Sequence, residues 1–335
     1  MWRLKRYICL VGLLALLAAA LTGCGFSDDS VEELFTLPRM AEEYTGLTQE
    51  LEALITQGYE YASPTGGRNI QSVQMADLDG DGQQEALAFF RMSSDEKPLK
   101  IFVFKIEGDS YARYCTIESS GTAIDSVYYQ DLNGDGRREL IVGWRISAEV
   151  QTVAVYTVAR EPVALMSSGY TRFTIQDLNG DGIPSLLVLR TDADSQPVAE
   201  FYGWQDEQMG VAYRCVLSST MASVNRGSLV SGRLDADTPA LYITGVDEQG
   251  MAATDILVFR QDLGLVNLAL SGSSTGVSNA VFPYRQLLPQ DINGDGIIEL
   301  PSPDTSWTAE QTDGLVSWLC CNGDGQLSTV AKTYH

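Results

Sequence analysis

The sequence predicts a mainly β fold: a β-propeller of about five four-stranded blades, preceded by one amphipathic helix. An Asp- and Gly-rich motif recurs with starts 54, 46, 58 and 56 residues apart, a period typical of four-stranded blades. From about residue 70 onward, short β-rich runs alternate with clusters of Gly, Asn and Asp. A ring is favoured because a lone four-stranded sheet of this length cannot bury both of its faces. Six blades, a solenoid and tandem independent domains stay open as alternatives.

The first residues predict export from the cytoplasm. A basic start, with Arg3, Lys5 and Arg6, precedes an unbroken apolar run over residues 8–21. That run is too short to span a bilayer comfortably and is typical of a signal peptide. The following Leu21-Thr22-Gly23-Cys24 resembles the lipobox of bacterial lipoproteins. The resemblance implies removal of residues 1–23 and lipidation of Cys24, with an ordinary secretory signal or an uncleaved anchor as the alternatives.

Charge and location narrow the set of partners. A lipid on Cys24 would make the membrane a partner and would place the chain on the extracytoplasmic face of a bacterial cell envelope. The net charge of -22 becomes -25 without residues 1–23, which carry three positive charges and no negative ones. Such a surface repels phosphates, so we expect no nucleic-acid partner. Bound divalent cations would offset the self-repulsion of the acidic chain.

The remaining chain divides into three segments. Residues 24–38 form a lipid-anchored spacer, residues 39–69 a helical segment, and residues 70–335 the propeller. Within the second segment, Met40–Thr56 is predicted to be helical and Gly58 to end the helix. The apolar positions of this helix recur at i, i+4, i+7 and i+8, at Leu47, Leu51, Leu54 and Ile55.

Cysteine and histidine exclude several chemistries. No CxxC spacing exists, and we interpret the mature cysteines other than Cys24 as small buried apolar residues. His335 is the only histidine, which argues against a Ser-His-Asp triad or a His-based zinc site. The cysteines in question are Cys115, Cys215, Cys320 and Cys321.

The recurring motif has oxygen-bearing side chains at positions 1, 3 and 5, glycine at positions 4 and 6, and a glutamate at position 9. We name its copies loop 1 (77–85), loop 2 (131–139), loop 3 (177–185) and loop 5 (291–299). Loop 3 carries Ser185 at position 9. A degenerate copy, loop 4, remains at Asp235-Ala236-Asp237 without the glycines.

This pattern of oxygens predicts calcium binding. Calcium takes six to eight oxygens at about 2.3–2.6 Å, and alternate residues of a tight turn can direct their oxygens inward together. The glycines permit the positive φ angles of such a turn. Turn formation without any ion is the alternative interpretation, because Asp, Asn and Gly dominate turns. An EF-hand or a dockerin is excluded, since both need a carboxylate at position 12, where these loops have Ala88, Val142, Val188 and Ser302.

The motif and its period closely resemble the FG-GAP or VCBS repeats of integrin-α-like propellers, whose loops bind calcium between the first two strands of a blade. The resemblance implies three calcium sites, a fourth and weaker site in loop 3, and no ion in loop 4. The implied ligands of loop 1 are Asp77, Asp79, Asp81, Glu85 and the main-chain carbonyl of Gln83. Those of loop 2 are Asp131, Asn133, Asp135, Glu139 and the carbonyl of Arg137. Those of loop 3 are Asp177, Asn179, Asp181 and the carbonyl of Ile183. Those of loop 5 are Asp291, Asn293, Asp295, Glu299 and the carbonyl of Ile297.

For function, the sequence predicts a binding or interaction module for an unidentified protein or glycan, with structural calcium and no enzymatic activity. A glycan hydrolase or lyase is one alternative, although acids outside the loops, such as Glu149, Asp192 and Asp194, are too scattered to suggest a catalytic pair. An envelope assembly scaffold is the other. Tryptophans could stack on sugars, and the mature chain offers Trp144, Trp204, Trp307 and Trp318.

Overall fold

The computed structural model describes residues 44–108, 110–268, 287–303 and 315–334. Residues 46–335 form one compact unit, and nearly all of the other unit, residues 1–45, lies outside the described part. The predicted signal peptide, Cys24, the spacer and the predicted helix start at Met40 therefore fall outside it. Within the described residues, no helix has both the length and the apolar character needed to cross a membrane.

Helix α1 spans Thr45–Thr56, within the range Met40–Thr56 that the sequence pattern suggested. Leu47 and Leu54 are buried, but Ile55 is 48% exposed, so the buried stripe is narrower than the sequence pattern predicted. Gly58 has a φ of +95° and follows the last turn, as expected for a residue that ends a helix.

The described residues contain twenty strands in five antiparallel sheets, which confirms a mainly β fold with several four-stranded sheets. Sheet 1 contains β1 (Glu60–Tyr61), β2 (Val73–Ala76), β3 (Glu85–Arg91), β4 (Leu99–Glu107) and β5 (Ser110–Ser119). Sheet 2 contains β6 (Ala123–Gln130), β7 (Glu139–Arg145), β8 (Gln151–Thr157) and β9 (Val163–Gly169). Sheet 3 contains β10 (Arg172–Gln176), β11 (Ser185–Thr191), β12 (Pro197–Gln205) and β13 (Gln208–Val216). Sheet 4 contains β14 (Leu229–Arg233), β15 (Pro239–Val246), β16 (Ala252–Arg260) and β17 (Gly264–Asn267). Sheet 5 contains β18 (Leu300–Pro303), β19 (Leu315–Cys321) and β20 (Leu327–Tyr334).

Each sheet is a meander in which a strand pairs with the next strand of the chain. The short β1 is the exception, because it pairs with β3 beside β2. A short helix, α2 (Met221–Val224), lies between sheets 3 and 4 in the chain. In sheet 5, an isolated bridge between Gln290 and Glu299 stands where the other sheets have a first strand.

Strands β3, β7, β11 and β15 are buried on both faces, which explains why these strands are nearly continuous apolar runs. In β11, Leu187 packs in a cluster with Leu241 of sheet 4, whereas its neighbour Val188 packs in a cluster with Ile141 of sheet 2. Alternate residues of a strand point to opposite faces, so one strand contributes to two cores.

Four apolar clusters of this kind join the sheets in chain order. They connect sheet 1 with sheet 2, sheet 2 with sheet 3, sheet 3 with sheet 4, and sheet 4 with sheet 5. The first cluster is the largest and contains Phe89, Val142 and Trp144. Because the sheets pack face to face in sequence, equivalent turns of consecutive sheets become neighbours.

The four cysteines within the described residues are free thiols. Cys115 and Cys321 are buried in the apolar clusters, which confirms the interpretation of these two as core residues. Cys215 and Cys320 are half-buried. Cys321 pairs with Leu327 at the hairpin between β19 and β20, in which Gly325 has a φ of +77°.

Candidate metal-binding loops

Loop 1 joins β2 to β3, loop 2 joins β6 to β7, loop 3 joins β10 to β11, and loop 5 leads into β18. All four complete loops therefore lie at the same end of their sheets. Neighbouring loops are in contact. The N–H of Arg138 in loop 2 donates to the carbonyl of Leu78 in loop 1 at 2.7 Å, and the N–H of Arg233 beside loop 4 donates to Gly296 of loop 5 at 3.1 Å.

The aspartate at position 1 organises every complete loop. One of its oxygens accepts the N–H of the glycine at position 4 and the other accepts the N–H of the glycine at position 6, at distances from 2.6 to 3.2 Å. The glycines have φ angles from +74° to +87°, which other residues adopt only with strain. The central aspartates are Asp77, Asp131, Asp177 and Asp291.

Positions 3 and 5 are also tied to the backbone. The carboxylate at position 5 accepts the N–H of residue 7 at 2.7 to 2.8 Å in all four loops. In loops 2, 3 and 5, the asparagine amide at position 3 donates to the other oxygen at position 5, as Asn133 does to Asp135 at 3.1 Å. These contacts hold the predicted ligand side chains close together.

In loops 1, 2 and 5, the glutamate at position 9 is buried under the loop and accepts a hydrogen bond from the loop backbone. Glu85, Glu139 and Glu299 are each at most 4% exposed. One carboxylate oxygen of each accepts the N–H of the residue at position 2, at 2.7 Å in loop 1 and 2.9 Å in loops 2 and 5. Burial raises the pKa of the Glu139 carboxyl to about 7, and burial also raises the pKa of Glu85. A nearby cation would favour the charged form of both groups.

The residues present fit a hard divalent cation. Their side-chain donors are carboxylate and amide oxygens, which calcium prefers. Within the described part of the chain, one set of three acids brings its ligand atoms within 4.8 Å of one another: Asp77, Asp79 and Glu85 of loop 1. The asparagines of the other loops supply an amide oxygen in place of the second carboxylate.

Loops 3 and 4 depart from this arrangement. In loop 3, Ser185 pairs with Gln176 across the sheet, and the side-chain nitrogen of Gln176 is buried without a hydrogen-bond partner among the described residues. Ser185 is too short to supply the buried carboxylate of position 9. In loop 4, Asp235 accepts the N–H groups of Asp237 and Thr238, which is ordinary turn chemistry.

The other candidate residues from the sequence lie apart from the loops or serve the core. Trp144 and Trp318 are buried, and the indole N–H of Trp204 donates to the carbonyl of Leu132 at 2.7 Å. These three tryptophans therefore support the sheets. Asp192 binds backbone N–H groups and Arg214. Trp307 lies outside the described residues.

A cleft that the sequence did not reveal is lined by the first strands of sheets 1, 2 and 3. Its volume is about 710 Å³. The lining is rich in carboxamides and aromatic rings and includes Gln84, Tyr128, Gln130, Arg138 and Phe173. These residues come from distant parts of the chain and form no motif, so no sequence signal could have assembled them.

No family model and no curated protein matches this chain. Among solved structures, the chain is similar to the rhamnogalacturonan lyase PL11 of Bacillus licheniformis, with a TM-score of 0.39 and 16% identity, over 80% of this chain and 50% of the lyase chain. It therefore spans half the length of that lyase. A hypothetical protein from Leishmania major gives a TM-score of 0.28 and 11% identity, over 84% of this chain and 97% of that one. Likenesses at this level carry no argument about function.

The contact between loops 1 and 2 predicts unequal effects for two glycine substitutions. A Cβ on Gly80 would lie 2.6 Å from the carbonyl oxygen of Gly136, whereas a Cβ on Gly82 would meet nothing within 4 Å. Both replacements by alanine cost about 1 kcal/mol of backbone strain. Gly80→Ala should cost about 1–3 kcal/mol more, because loop 2 must move. Urea unfolding measures both, and equal losses would contradict the packing of the two loops.

A substitution in loop 3 should improve calcium binding. Ser185→Glu supplies the buried carboxylate that the other complete loops have at position 9. In the presence of calcium we expect about 1 kcal/mol of added stability and tighter calcium binding at the weak site of loop 3, measured by thermal melting and calorimetric titration. Ser185→Gln is the matched control, because it adds a hydrogen-bond acceptor without the charge. An unchanged affinity of the weakest site in Ser185→Glu would refute the role given to position 9.

Proposed function

We propose that this chain is a lipid-anchored surface protein of the bacterial cell envelope, whose calcium-stabilised β-propeller of the FG-GAP/VCBS type acts as a binding module for a glycan. The single observation that carries the proposal is the repetition of one hydrogen-bonding scheme in four acidic loops at the same end of successive sheets. Lipidation at Cys24 and the extracytoplasmic location follow from the lipobox resemblance in the sequence.

The two end sheets are covered in different ways. On sheet 1, Phe90 points away from sheet 2 and is 0% exposed. Part of its cover comes from the segment that follows helix α1, because the ring centroids of Tyr59 and Tyr61 lie 6.2 and 4.5 Å from that of Phe90. On sheet 5, Val316 and Trp318 lie outside the cluster shared with sheet 4, and their exposed fractions are 0% and 1%. In the proposed ring of five blades, a neighbouring blade covers this face of sheet 5.

Calcium in these loops has a structural role in the proposal. Each loop joins two strands, so an ion bound to both arms of the turn fixes the distance between them. The buried glutamate at position 9 is part of the second strand and ties the ion to the sheet. Binding to the folded chain alone stabilises it by mass action.

Removal of calcium should therefore lower the melting temperature of the mature protein. With 1 mM calcium replaced by a chelator, we expect a fall of at least about 5 °C, because each vacated site withdraws roughly 2–3 kcal/mol. Asp135→Asn should lower the melting temperature only when calcium is present. Asp237→Asn in loop 4 is the matched control and should behave as the parent protein. Identical melts in calcium and in chelator would refute structural metal sites.

The cleft across sheets 1, 2 and 3 supports a glycan as the ligand. Its volume of about 710 Å³ is within the range of small-ligand sites. Gln84 and Gln130 line it and are solvent-exposed, so their amides can donate to and accept from sugar hydroxyls. The ring of Tyr128 contacts Phe173 edge to face, with ring centroids 5.6 Å apart, which gives the cleft a rigid aromatic wall.

Substitution of the two glutamines tests this site. A glycan array with neutral oligosaccharides identifies the probe, and calorimetric titration then measures its affinity. Gln84→Ala combined with Gln130→Ala should weaken binding roughly thirtyfold, at about 1 kcal/mol for each lost hydrogen bond. Gln208→Ala, at an exposed position of the outermost strand β13, is the control. Failure of every neutral glycan to bind, or equal binding by the double variant, would overturn the glycan assignment.

A further inference from the structure

The residue that faces position 9 from the third strand differs from sheet to sheet. The register of β3 and β4 aligns Ala86 with Phe104, so the preceding residue, Glu85, lies opposite Lys105. Directly opposed residues of antiparallel strands share a face of the sheet. In the other complete loops, the strand registers likewise place one residue of the third strand opposite position 9. These pairs are Thr157 opposite Glu139, Gly203 opposite Ser185, and Cys320 opposite Glu299.

Loop 1 is the one complete loop with a cation at this position. The ammonium of Lys105 forms an ion pair with the carboxylate of Asp79 and lies 3.6 Å from Oε1 of Glu85. Its side chain is 17% exposed, and the ammonium lies 4.6 Å from the centroid of the Tyr114 ring. The charge of Lys105 is thus held against two of the three acids that converge in this loop.

The electrostatics of loops 1 and 2 differ accordingly. In loop 1, the hydrogen bond from Lys105 lowers the pKa of Asp79, and the charge of Lys105 counteracts the effect of burial on Glu85. In loop 2, burial raises the pKa of Glu139, and the nearby Asp131 and Asp135 raise it further. Loop 2 has acids of similar burial but lacks a lysine in the equivalent place.

We propose that Lys105 is a built-in counter-ion of loop 1 that competes with calcium, so that loop 1 binds calcium most weakly of the three loops with a complete set of acids. A divalent ion that binds Asp79 and Glu85 must displace the ammonium or share their oxygens with a like charge. Loop 1 then keeps its shape when calcium is scarce, whereas loops 2 and 5 depend on the bound ion. This inference depends on the proposed calcium sites and assigns them unequal affinities.

An exchange of the two facing residues tests the proposal. Lys105→Thr removes the ammonium from loop 1, and Thr157→Lys introduces one into loop 2. Thr157 lines a cavity of about 480 Å³ together with Asn133, Asp135 and Glu139, so a lysine has room to reach the carboxylates. Lys105→Arg keeps the charge and is the matched control. Lys97→Thr removes a lysine whose side chain is 58% exposed, and it controls for the change in net charge.

Calorimetric titration with calcium gives the number and affinity of the sites. Terbium luminescence reports ion binding at loop 2 specifically. Trp204 lines the same cavity as Asn133 and Glu139, so its indole can sensitise a terbium ion bound there. We expect Lys105→Thr to bind calcium in loop 1 at least about tenfold more tightly than the parent protein, since a like charge within about 4 Å has been removed. Thr157→Lys should lower the sensitised terbium luminescence at least about tenfold. The two controls, Lys105→Arg and Lys97→Thr, should match the parent protein.

The outcomes separate this inference from the proposed function. The parent protein could bind calcium while Lys105→Thr leaves the affinities unchanged and Thr157→Lys leaves the terbium signal unchanged. That result would overturn the role of Lys105 and would leave the proposed calcium sites intact. Failure of the parent protein to bind calcium at all would overturn both. Should Lys105→Thr fail to fold, Thr157→Lys alone decides, because it adds a charge to a loop that the parent protein fills with calcium.

Discussion

Buried carboxylates determine the chemistry of this protein. Three glutamates lie beneath the acidic loops, nearly inaccessible to solvent, and each receives one backbone hydrogen bond from the second residue of its loop. A buried charge with so few donors is costly unless a positive charge lies beside it. In loop 1, Lys105 supplies that charge. In loops 2 and 5, the same requirement is the physical basis for the proposed calcium ions.

The arrangement of the sheets brings the loops into register. Strands β3, β7, β11 and β15 are apolar on both faces, so sheets 1 to 4 must each be covered on two sides. Packing in chain order satisfies this requirement and places every loop next to the equivalent loop of the following sheet, as the hydrogen bond from Arg138 to Leu78 shows. The carboxylates of the loops are thereby brought together at one end of the sheets, where bound cations would reduce their mutual repulsion most effectively.

Local patterns predicted much of the fold. The motif positions marked the turns, because loops 1, 2 and 3 each lie between two paired strands. The alternation of side chains in a strand and the φ preferences of glycine are local, so the sequence displays them directly.

Features that depend on long-range pairing were not predictable in this way. The position of Lys105 opposite Glu85 follows from a strand register across twenty residues, and the cleft combines residues of three sheets. The tryptophans were ambiguous for a similar reason, because an aromatic residue in a strand suits a core or a sugar platform equally well. Only the packing of Trp144 and Trp318 decides for the core.

The most direct measurement is a crystal structure of the mature chain grown with calcium, with anomalous difference maps collected at a wavelength where calcium scatters. The account predicts anomalous peaks about 2.3–2.6 Å from the carboxylate oxygens of loops 2 and 5, in blades arranged radially around one axis. Loops whose acidic oxygens face solvent without any anomalous peak, or sheets that extend in an open row, would contradict it.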